Sequence, residues 1–450
     1  MGFLTKQEIL QKYEPVIGFE IHVELNTKYK MFCRCPADWF GKEPNTQTCP
    51  VCLGMPGALP VPNKKALEYT MKIAKSLNCE INKSQQFDRK HYFYPDLPKG
   101  YQITQFYKPM GINGKVTIIV SGKPKQVRIR RIHLEEDTGK SIHEGEDTLV
   151  DFNRSGVPLV EIVTEPDFRN AEEAKIFLKM LQILVRRLGV SDADMEKGSM
   201  RLEPNISLRK KGESGLPNYK VEVKNINSFN FAVKAIEYEI IRQAKLLERG
   251  ETPAQETRGF DMSTGKTVSQ RRKEIAEDYR YLTEPDIPEI VFSDEDIKKI
   301  TSNLPVTPYE QYAGYIELGI DPKIAWTLVE ESELSVLFDA INEKHLRELG
   351  VTYEKLAKFI VNKYKQYKFK SLKDVINAYK KEYSKETIDE SEAIEIIRKI
   401  IQENPKAVAD YKAGKQNAIQ FFIGQFMRVV KKKIDVAPII KLFKEELSKA

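Results

Sequence analysis

The sequence pattern changes near residue 294, and this change limits the fold more than any other feature. Before residue 294, short β-prone runs alternate with a few long helical patterns. After it, Lys- and Glu-rich amphipathic helical patterns follow one another, and strand signals nearly disappear. The sequence therefore predicts an α+β fold, in which a mixed α/β domain with an antiparallel sheet precedes an all-α linker and a helical tail domain.

The length of the chain also indicates several domains, because 450 residues exceed what one compact core usually holds. We predict domains at residues 1–293, 294–385 and 386–450, with a break in the helical part between residues 383 and 389. The longest apolar runs, such as residues 421–423, are far too short to cross a bilayer, and the first residues turn polar at once. We therefore expect a cytoplasmic protein without a membrane span.

Two local patterns give definite expectations. Asn170 and Glu173 have the spacing of a capping box, an apolar stripe follows them, and Gly189 stands where the helix should end. Between two β-prone runs, residues 111–114 read Gly-Ile-Asn-Gly, which predicts a hairpin turn.

Four of the five cysteines lie within 20 residues, as the pairs Cys33–Cys35 and Cys49–Cys52, with thirteen residues between Cys35 and Cys49. Two close pairs in an intracellular chain predict a structural zinc site, a zinc knuckle at residues 33–52. Four sulfur ligands would leave no open position, so such a site would pin a loop and perform no reaction. A redox-active dithiol and unmetallated thiols are the alternatives.

Acidic residues form a second pattern. Alternation in the strand at residues 16–25 puts Glu20, His22 and Glu24 on one face. Glu161 interrupts an apolar run, and a carboxylate there must be paired or bound to metal to offset its burial. Carboxylates with one imidazole suit Mg²⁺ or Mn²⁺. Taken singly, the other positions also fit ordinary exposed strand residues.

Two common site types are not evident. Gly259 to Thr267 resembles a phosphate-binding loop, but five residues separate its glycines where that motif needs four. None of the five histidines stands beside a plausible Ser or Cys nucleophile. If ATP is used, metals and isolated basic side chains such as Lys90 must hold its phosphates.

Net charge is concentrated at one end of the chain. Residues 405–450 contain ten Lys or Arg and four Asp or Glu, and the whole chain has a formal charge of +7. A basic terminal domain on a nearly neutral body is typical of a surface for a polyanion such as nucleic acid. A solvated helical tail would explain the charge equally well.

Several motifs together closely resemble the B-subunit family of the Asp/Glu-tRNA amidotransferases. The resemblance runs in order from about residue 13 to 290, and the tail looks similar as well. The matching segments include Val16-Ile-Gly-Phe-Glu20-Ile-His22-Val-Glu24, Phe87-Asp-Arg-Lys90-His-Tyr, His133-Leu-Glu-Glu136-Asp, Val157-Pro-Leu-Val-Glu161-Ile, Lys224-Asn-Ile-Asn, and Asp278-Tyr-Arg-Tyr281.

The resemblance implies a ligase that forms a C–N bond with glutamine as nitrogen donor. A cradle domain would use ATP to phosphorylate the side-chain carboxylate of mischarged Glu-tRNA(Gln) or Asp-tRNA(Asn). Ammonia released by an amidase-like A subunit would then displace the phosphate, and a small C subunit would complete a heterotrimer. The helical tail would bind tRNA.

The resemblance also implies roles for individual residues. His22, Glu136 and Glu161 would bind Mg²⁺ or Mn²⁺, with Glu20 and Glu203 completing the site. Lys90 and Glu136 would be catalytic, and Glu20, Lys90 and Glu136 would contact ATP. Glu203 stands where the family pattern has an aspartate, so its longer side chain would shift that one ligand.

Two other hypotheses remain open at this point. The chain could be a tRNA-binding scaffold with a vestigial acidic site, which would have no need for His22, Glu136 and Glu161 together. It could also be an unrelated zinc-containing nucleic-acid-binding protein, which would work without the A and C subunits.

Overall fold

The computed structural model divides into two compact units, Met1–Glu317 and Leu318–Ala450. It describes residues 5–272, 279–383, 388–415, 417–431 and 434–449. The first unit contains a mixed sheet with helices and the second is helical, so the predicted α+β class is confirmed. The three-domain division stays a prediction, and its limit at residue 385 and motif residue Asp278 lie outside the described residues.

A nine-stranded sheet forms the body of the first unit. The strands of the chain are β1 (Tyr13–Glu24), β2 (Glu80–Ile81), β3 (Ser84–Gln85), β4 (Asp88–His91), β5 (Tyr101–Thr104), β6 (Gly111–Val120), β7 (Lys123–Glu136), β8 (Lys140–Glu144), β9 (Asp147–Asp151), β10 (Pro158–Thr164), β11 (Met200–Lys210), β12 (Val221–Lys224), β13 (Glu256–Asp261), β14 (Lys266–Arg272), β15 (Leu282–Thr283) and β16 (Ile290–Val291). The order across the large sheet is β14-β13-β12-β11-β1-β10-β7-β6-β2. Neighbouring strands are antiparallel except β12 and β13, which are parallel.

Helices accompany the sheet and then replace it. The first unit contains α1 (Lys6–Lys12), α2 (Lys64–Ser76), α3 (Ala171–Arg187), α4 (Phe229–Glu248), α5 (Asp294–Thr301) and α6 (Pro308–Glu317). The second unit contains α7 (Pro322–Glu330), α8 (Ser332–Asp339), α9 (Glu343–Leu349), α10 (Tyr353–Tyr367), α11 (Leu372–Tyr383), α12 (Glu390–Glu403), α13 (Pro405–Lys412), α14 (Asn417–Val430) and α15 (Val436–Lys449).

Strand β1 lies at the centre of the sheet, and its two faces have different surroundings. On one face Phe19 packs edge-on against Phe168, with ring centroids 5.4 Å apart, and Phe168 packs against Phe177 of α3 at 5.3 Å. Successive side chains of a strand point to opposite faces. Glu20 and His22 therefore lie on the face away from α3, where a cavity opens.

The predicted start and end of α3 are confirmed. The Asn170 side chain accepts a hydrogen bond from the Glu173 backbone N–H at 2.9 Å, which satisfies one of the free N–H groups of the first turn. Gly189 follows the helix with a φ of 65°, a left-handed conformation that glycine adopts without steric cost.

The predicted turn at residues 111–114 is wrong, because these residues begin strand β6. The hairpin instead turns at Ser121 and Gly122, between β6 and β7. The glycines serve close packing: a Cβ on Gly111 would lie 2.9 Å from the Cβ of Ala74 on α2, and one on Gly114 would lie 2.4 Å from Cys79 Sγ.

The last four helices of the second unit, α12 to α15, share a hydrophobic core. Phe422 and Phe426 of α14 are fully buried, and Phe443 of α15 packs against both rings. The apolar side chains of α14 therefore belong to this core, and Ile419, Met427 and Val430 pack against it. Among the described residues, no helix combines the length and apolar character needed to cross a membrane.

Candidate active site

A cavity of about 820 Å³ opens on the face of the large sheet away from α3. Five adjacent strands contribute charged side chains to it, because antiparallel pairing puts residues that face one another across strands on the same side of the sheet. Glu20 pairs with Glu203, and His22 pairs with Glu161. Distant parts of the sequence thus converge on one polar surface.

His22, Glu135 and Glu161 form the first acidic cluster. One ligand atom from each lies within 4.8 Å of the others. His22 Nε2 is 3.7 Å from Glu135 Oε1 and 3.9 Å from Glu161 Oε2, too far for hydrogen bonds. The three side chains therefore face one another across a gap, as ligands around one small ion do.

His133 supports this cluster from the neighbouring strand β7. Its Nε2 atom lies 2.8 Å from Glu161 Oε2. Burial alone would raise the pKa of Glu161, but His133, His22 and Lys90 outweigh burial and hold the pKa well below its usual range. Burial likewise would lower the pKa of His133, yet Glu161 and Glu135 raise it. Glu161 is therefore an anion at neutral pH.

Glu20, Glu203 and Glu222 form the second acidic cluster, also with ligand atoms within 4.8 Å of one another. Burial and repulsion from Glu161 and Glu222 raise the pKa of Glu20. Lys224 Nζ lies 3.3 Å from both Glu203 and Glu222 and offsets part of their charge. Three carboxylates held this close are stabilised either by a proton on one of them or by a bound cation.

Of the predicted metal ligands, the structure brings together His22, Glu161, Glu20 and Glu203 in the cavity, but not Glu136. Glu136 points to the opposite face of β7, where its carboxylate accepts hydrogen bonds from Lys99 Nζ and the Ile103 backbone N–H. Its neighbour Glu135 faces the cavity instead. This difference follows from the two-residue period of a strand, because of two adjacent glutamates only one can face His22.

Glu222 and His133 also belong to the site, and neither was predicted from the sequence. Alternation along β7 from His133 to Glu135 was the available signal. For Glu222 there was none, because its place beside Glu20 depends on the pairing of β11 with β12.

Lys90, for which the resemblance implies a catalytic role, lies on the wall of the same cavity. Its Nζ atom is 4.8 Å from the centroid of the Tyr279 ring. Burial alone would lower the pKa of Lys90, but the carboxylates of Glu135 and Glu161 outweigh burial and raise it. Lys90 is therefore a cation at neutral pH.

Both acidic clusters fit divalent cations of the Mg²⁺ or Mn²⁺ class. Their donors are carboxylate oxygens and one imidazole nitrogen, which these ions accept, and no thiol is among them. The first cluster fits better, because its three donors face a gap and Lys224 already lies beside the second.

The four cysteines meet at one point, as predicted. Cys33, Cys35, Cys49 and Cys52 have their sulfur atoms within 4.8 Å of one another. A hydrogen bond between the side chains of Cys33 and Cys52 lowers the pKa of Cys52 to about 5, and the ammonium of Lys30 adds to this effect. Burial raises the pKa of Cys35 to about 12. Four thiols at this spacing fit tetrahedral zinc. Cys79 lies apart and buried.

The segment at residues 259–267 is not a phosphate-binding loop. It forms the hairpin between β13 and β14, with Asp261 paired to Lys266. A phosphate-binding loop would lead from a strand into a helix N-terminus, so the prediction against this motif is confirmed.

Comparison with known proteins gives matches over nearly the whole chain. A family model described as the GatB/GatE catalytic domain matches residues 15–298, and one described as the GatB domain matches residues 324–447. The B subunit of the aspartyl/glutamyl-tRNA(Asn/Gln) amidotransferase of Persephonella marina is 43% identical, over 97% of this chain and 100% of that protein. The corresponding B subunits of Thermotoga maritima and Carboxydothermus hydrogenoformans are 44% and 40% identical, over 94% and 98% of this chain and 96% and 100% of their own length.

Proposed function

The chain belongs to the family of aspartyl/glutamyl-tRNA(Asn/Gln) amidotransferase B subunits, and from this premise we propose that it amidates the side-chain carboxylate of mischarged Glu-tRNA(Gln), Asp-tRNA(Asn) or both. It acts as the ATP-using component of a ligase that takes its nitrogen from glutamine. The convergence of His22, Glu135 and Glu161 in one cavity carries the proposal.

Amide formation needs an activated carboxylate. A free carboxylate resists ammonia because it is anionic and would have to expel oxide. Transfer of the γ-phosphoryl group of ATP to the carboxylate gives an acyl phosphate with a stable leaving group, which ammonia can then displace. Such a transfer concentrates negative charge in the transition state, and catalysis consists mainly of positioning and neutralising that charge.

His22, Glu135 and Glu161 would hold one divalent cation, and Glu20, Glu203 and Glu222 a second. When bound, such ions neutralise charge on the transferred phosphoryl group. His133 keeps Glu161 anionic and oriented through its 2.8 Å contact. Lys90, which faces the same cavity, supplies further positive charge.

Lys90 stabilises negative charge in this scheme. Its raised pKa keeps it protonated, so it cannot act as a base that removes a proton from incoming ammonium. An ammonium on the wall of the cavity can instead approach the phosphate oxygens and the developing charge on the carbonyl oxygen.

The ammonia comes from a partner in this proposal. Among the described residues that line the cavity, no Ser or Cys lies beside His22, although glutamine hydrolysis by a nucleophile would require one. We therefore propose an amidase-like A subunit and a small C subunit as partners, with the helical tail binding tRNA. The alternative of a scaffold with a vestigial site is disfavoured, because keeping Glu135 buried and Glu161 mostly buried costs stability that a scaffold would not need to lose.

The test is ATP turnover by the complex with its A and C subunits, given Mg²⁺, glutamine and mischarged tRNA. Glu161→Gln should lower tRNA-dependent ADP formation more than about 100-fold, because it removes several kcal/mol of charge stabilisation. Glu165→Gln is the matched control, since Glu165 lies four residues along the chain and pairs with Arg130 outside the cavity.

Turnover by Glu161→Gln at the wild-type rate would refute the proposed site. No phosphate release by the wild type with either tRNA would favour the scaffold instead. Assays with Glu-tRNA(Gln) and Asp-tRNA(Asn) in parallel identify the substrate.

A further inference from the structure

Lys30 is a fully buried lysine beside the four-cysteine cluster. Its side chain has no exposed surface, although lysine is rarely buried unless it is paired. Its Nζ atom donates to the Gln47 carbonyl at 2.8 Å, to the Phe152 carbonyl at 3.2 Å and to Cys52 Sγ at 3.7 Å. Its three N–H groups thus have three acceptors, and among the described residues no carboxylate lies within ion-pair distance.

The four-cysteine cluster can supply the oppositely charged partner that the buried ammonium of Lys30 needs. Four thiolates outnumber the two positive charges of a zinc ion, so a zinc site of four cysteines is a net anion. A buried net charge is costly unless an opposite charge or hydrogen-bond donors lie close to it. The ammonium of Lys30 meets both needs at Cys52, the most buried of the four cysteines.

We propose that Lys30 is a positioning residue of the zinc site, which neutralises part of the charge of the four thiolates and holds Cys52 Sγ as a ligand. This inference rests on the fit of the four cysteines to zinc and not on the proposed amidation, so its failure would leave the proposed function intact. Lys30 touches neither substrate nor the acidic clusters, and it acts through Cys52.

The surroundings of Lys30 fix its position. Ser155 Oγ donates to the Cys52 carbonyl at 3.0 Å, and the Met31 backbone N–H donates to the Gly156 carbonyl at 2.7 Å. Gly156 has a φ of 83°, and a Cβ there would lie 3.5 Å from Cys52 Cβ and 3.6 Å from Lys30 Cδ. Residues 152–156 therefore close over the lysine and the cysteine together.

The test is the zinc affinity of the full-length chain, measured by competition with a chromophoric chelator. Lys30→Met keeps much of the side-chain volume and removes the charge, and it should weaken zinc binding about 10- to 100-fold, the usual effect of losing a residue that orients a metal ligand. Lys28→Met is the matched control: Lys28 is exposed, with Nζ 5.2 Å from the Tyr29 ring centroid, and its loss should leave the affinity unchanged.

A second measurement separates this role from simple satisfaction of the Gln47 and Phe152 carbonyls. The proposal predicts that Lys30→Met lowers the melting temperature more in the zinc-loaded protein than in the metal-free protein. An equal loss in both forms, or wild-type zinc affinity in Lys30→Met, would overturn it. If Lys30→Met does not fold, Lys30→Gln replaces it. Zinc affinity at the wild-type level in that uncharged variant would likewise overturn the proposal. Failure of the wild type itself to bind zinc would refute the zinc site as well.

Discussion

At the scale of single residues, the charge of Lys90 decides what it can do. The carboxylates of Glu135 and Glu161 raise its pKa despite burial, so it is an ammonium throughout the neutral range. A residue of this kind cannot take up a proton, but it can stabilise the anions that arise during phosphoryl transfer and acyl substitution.

We predict that Lys90→Met lowers the rate of amide formation about 100-fold, because one charge contact to the transition state is lost. Binding of tRNA should change little, since the tail is untouched. Lys83→Met is the control, because Lys83 is exposed and pairs with Asp294. Steady-state kinetics of the complex give the answer, and a variant with an unchanged kcat would remove Lys90 from the reaction centre.

The adjacent residues Glu135 and Glu136 give a second test at this scale. Glu135→Gln removes a ligand of the first acidic cluster and should weaken Mn²⁺ binding about 10- to 100-fold. Glu136→Gln alters a carboxylate that bonds to Lys99 on the other face of β7, so its main effect should be a lower melting temperature. Mn²⁺ titration followed by electron paramagnetic resonance distinguishes the two. A stronger effect of Glu136→Gln on Mn²⁺ affinity would contradict the orientation of β7.

The sequence could reveal that acidic residues matter here, but not which of these two glutamates faces the cavity. The motif His-Leu-Glu-Glu contains both, and the choice depends on the pairing of β7 with β10. The place of Lys30 depends in the same way on contacts between residues 30, 52 and 152.

At the scale of elements, the sequence predicted a feature correctly where the interactions that produce the feature lie within the same short segment. The cap at Asn170 and the end of α3 at Gly189 follow from hydrogen bonds and φ angles within one turn. The wrong turn at residues 111–114 had a distant cause. Gly111 and Gly114 are small because α2 and Cys79 pack against β6, and no pattern in the segment itself reports that contact.

The cap gives a prediction of its own. Asn170→Ala should lower the free energy of unfolding of the first unit by about 1 kcal/mol, because the Glu173 backbone N–H loses its acceptor. Asn170→Ser keeps an acceptor and should cost less. Denaturant titration with a probe in the first unit measures both, and equal losses for Ala and Ser would indicate that the hydrogen bond contributes nothing.

At the scale of the whole molecule, the two acidic clusters lie on the sheet of the first unit, whereas the excess of basic residues lies in the helices at the end of the chain. Helices α12 to α15 share one hydrophobic core, so this end can fold as a group. Its ten Lys or Arg against four Asp or Glu in residues 405–450 favour contact with the phosphate backbone of RNA.

We predict that deletion of residues 386–450 weakens tRNA affinity and reduces its dependence on salt, because fewer counterions are released on binding. The tRNA-dependent formation of ADP should remain measurable at saturating tRNA, since the acidic clusters lie in the first unit. Filter binding at several salt concentrations tests this. Unchanged affinity and salt slope would mean that the basic end is only a solvated surface.

We propose that His22, Glu135 and Glu161 hold a divalent cation at the site of phosphoryl transfer. Anomalous scattering from crystals grown with Mn²⁺ and a nonhydrolysable ATP analogue tests it most directly. We expect a Mn²⁺ peak within about 2.1 to 2.3 Å of His22 Nε2 and of oxygen atoms of Glu135 and Glu161. A complex that turns over ATP with Mn²⁺, but whose Mn²⁺ lies away from these three side chains, would contradict the claim.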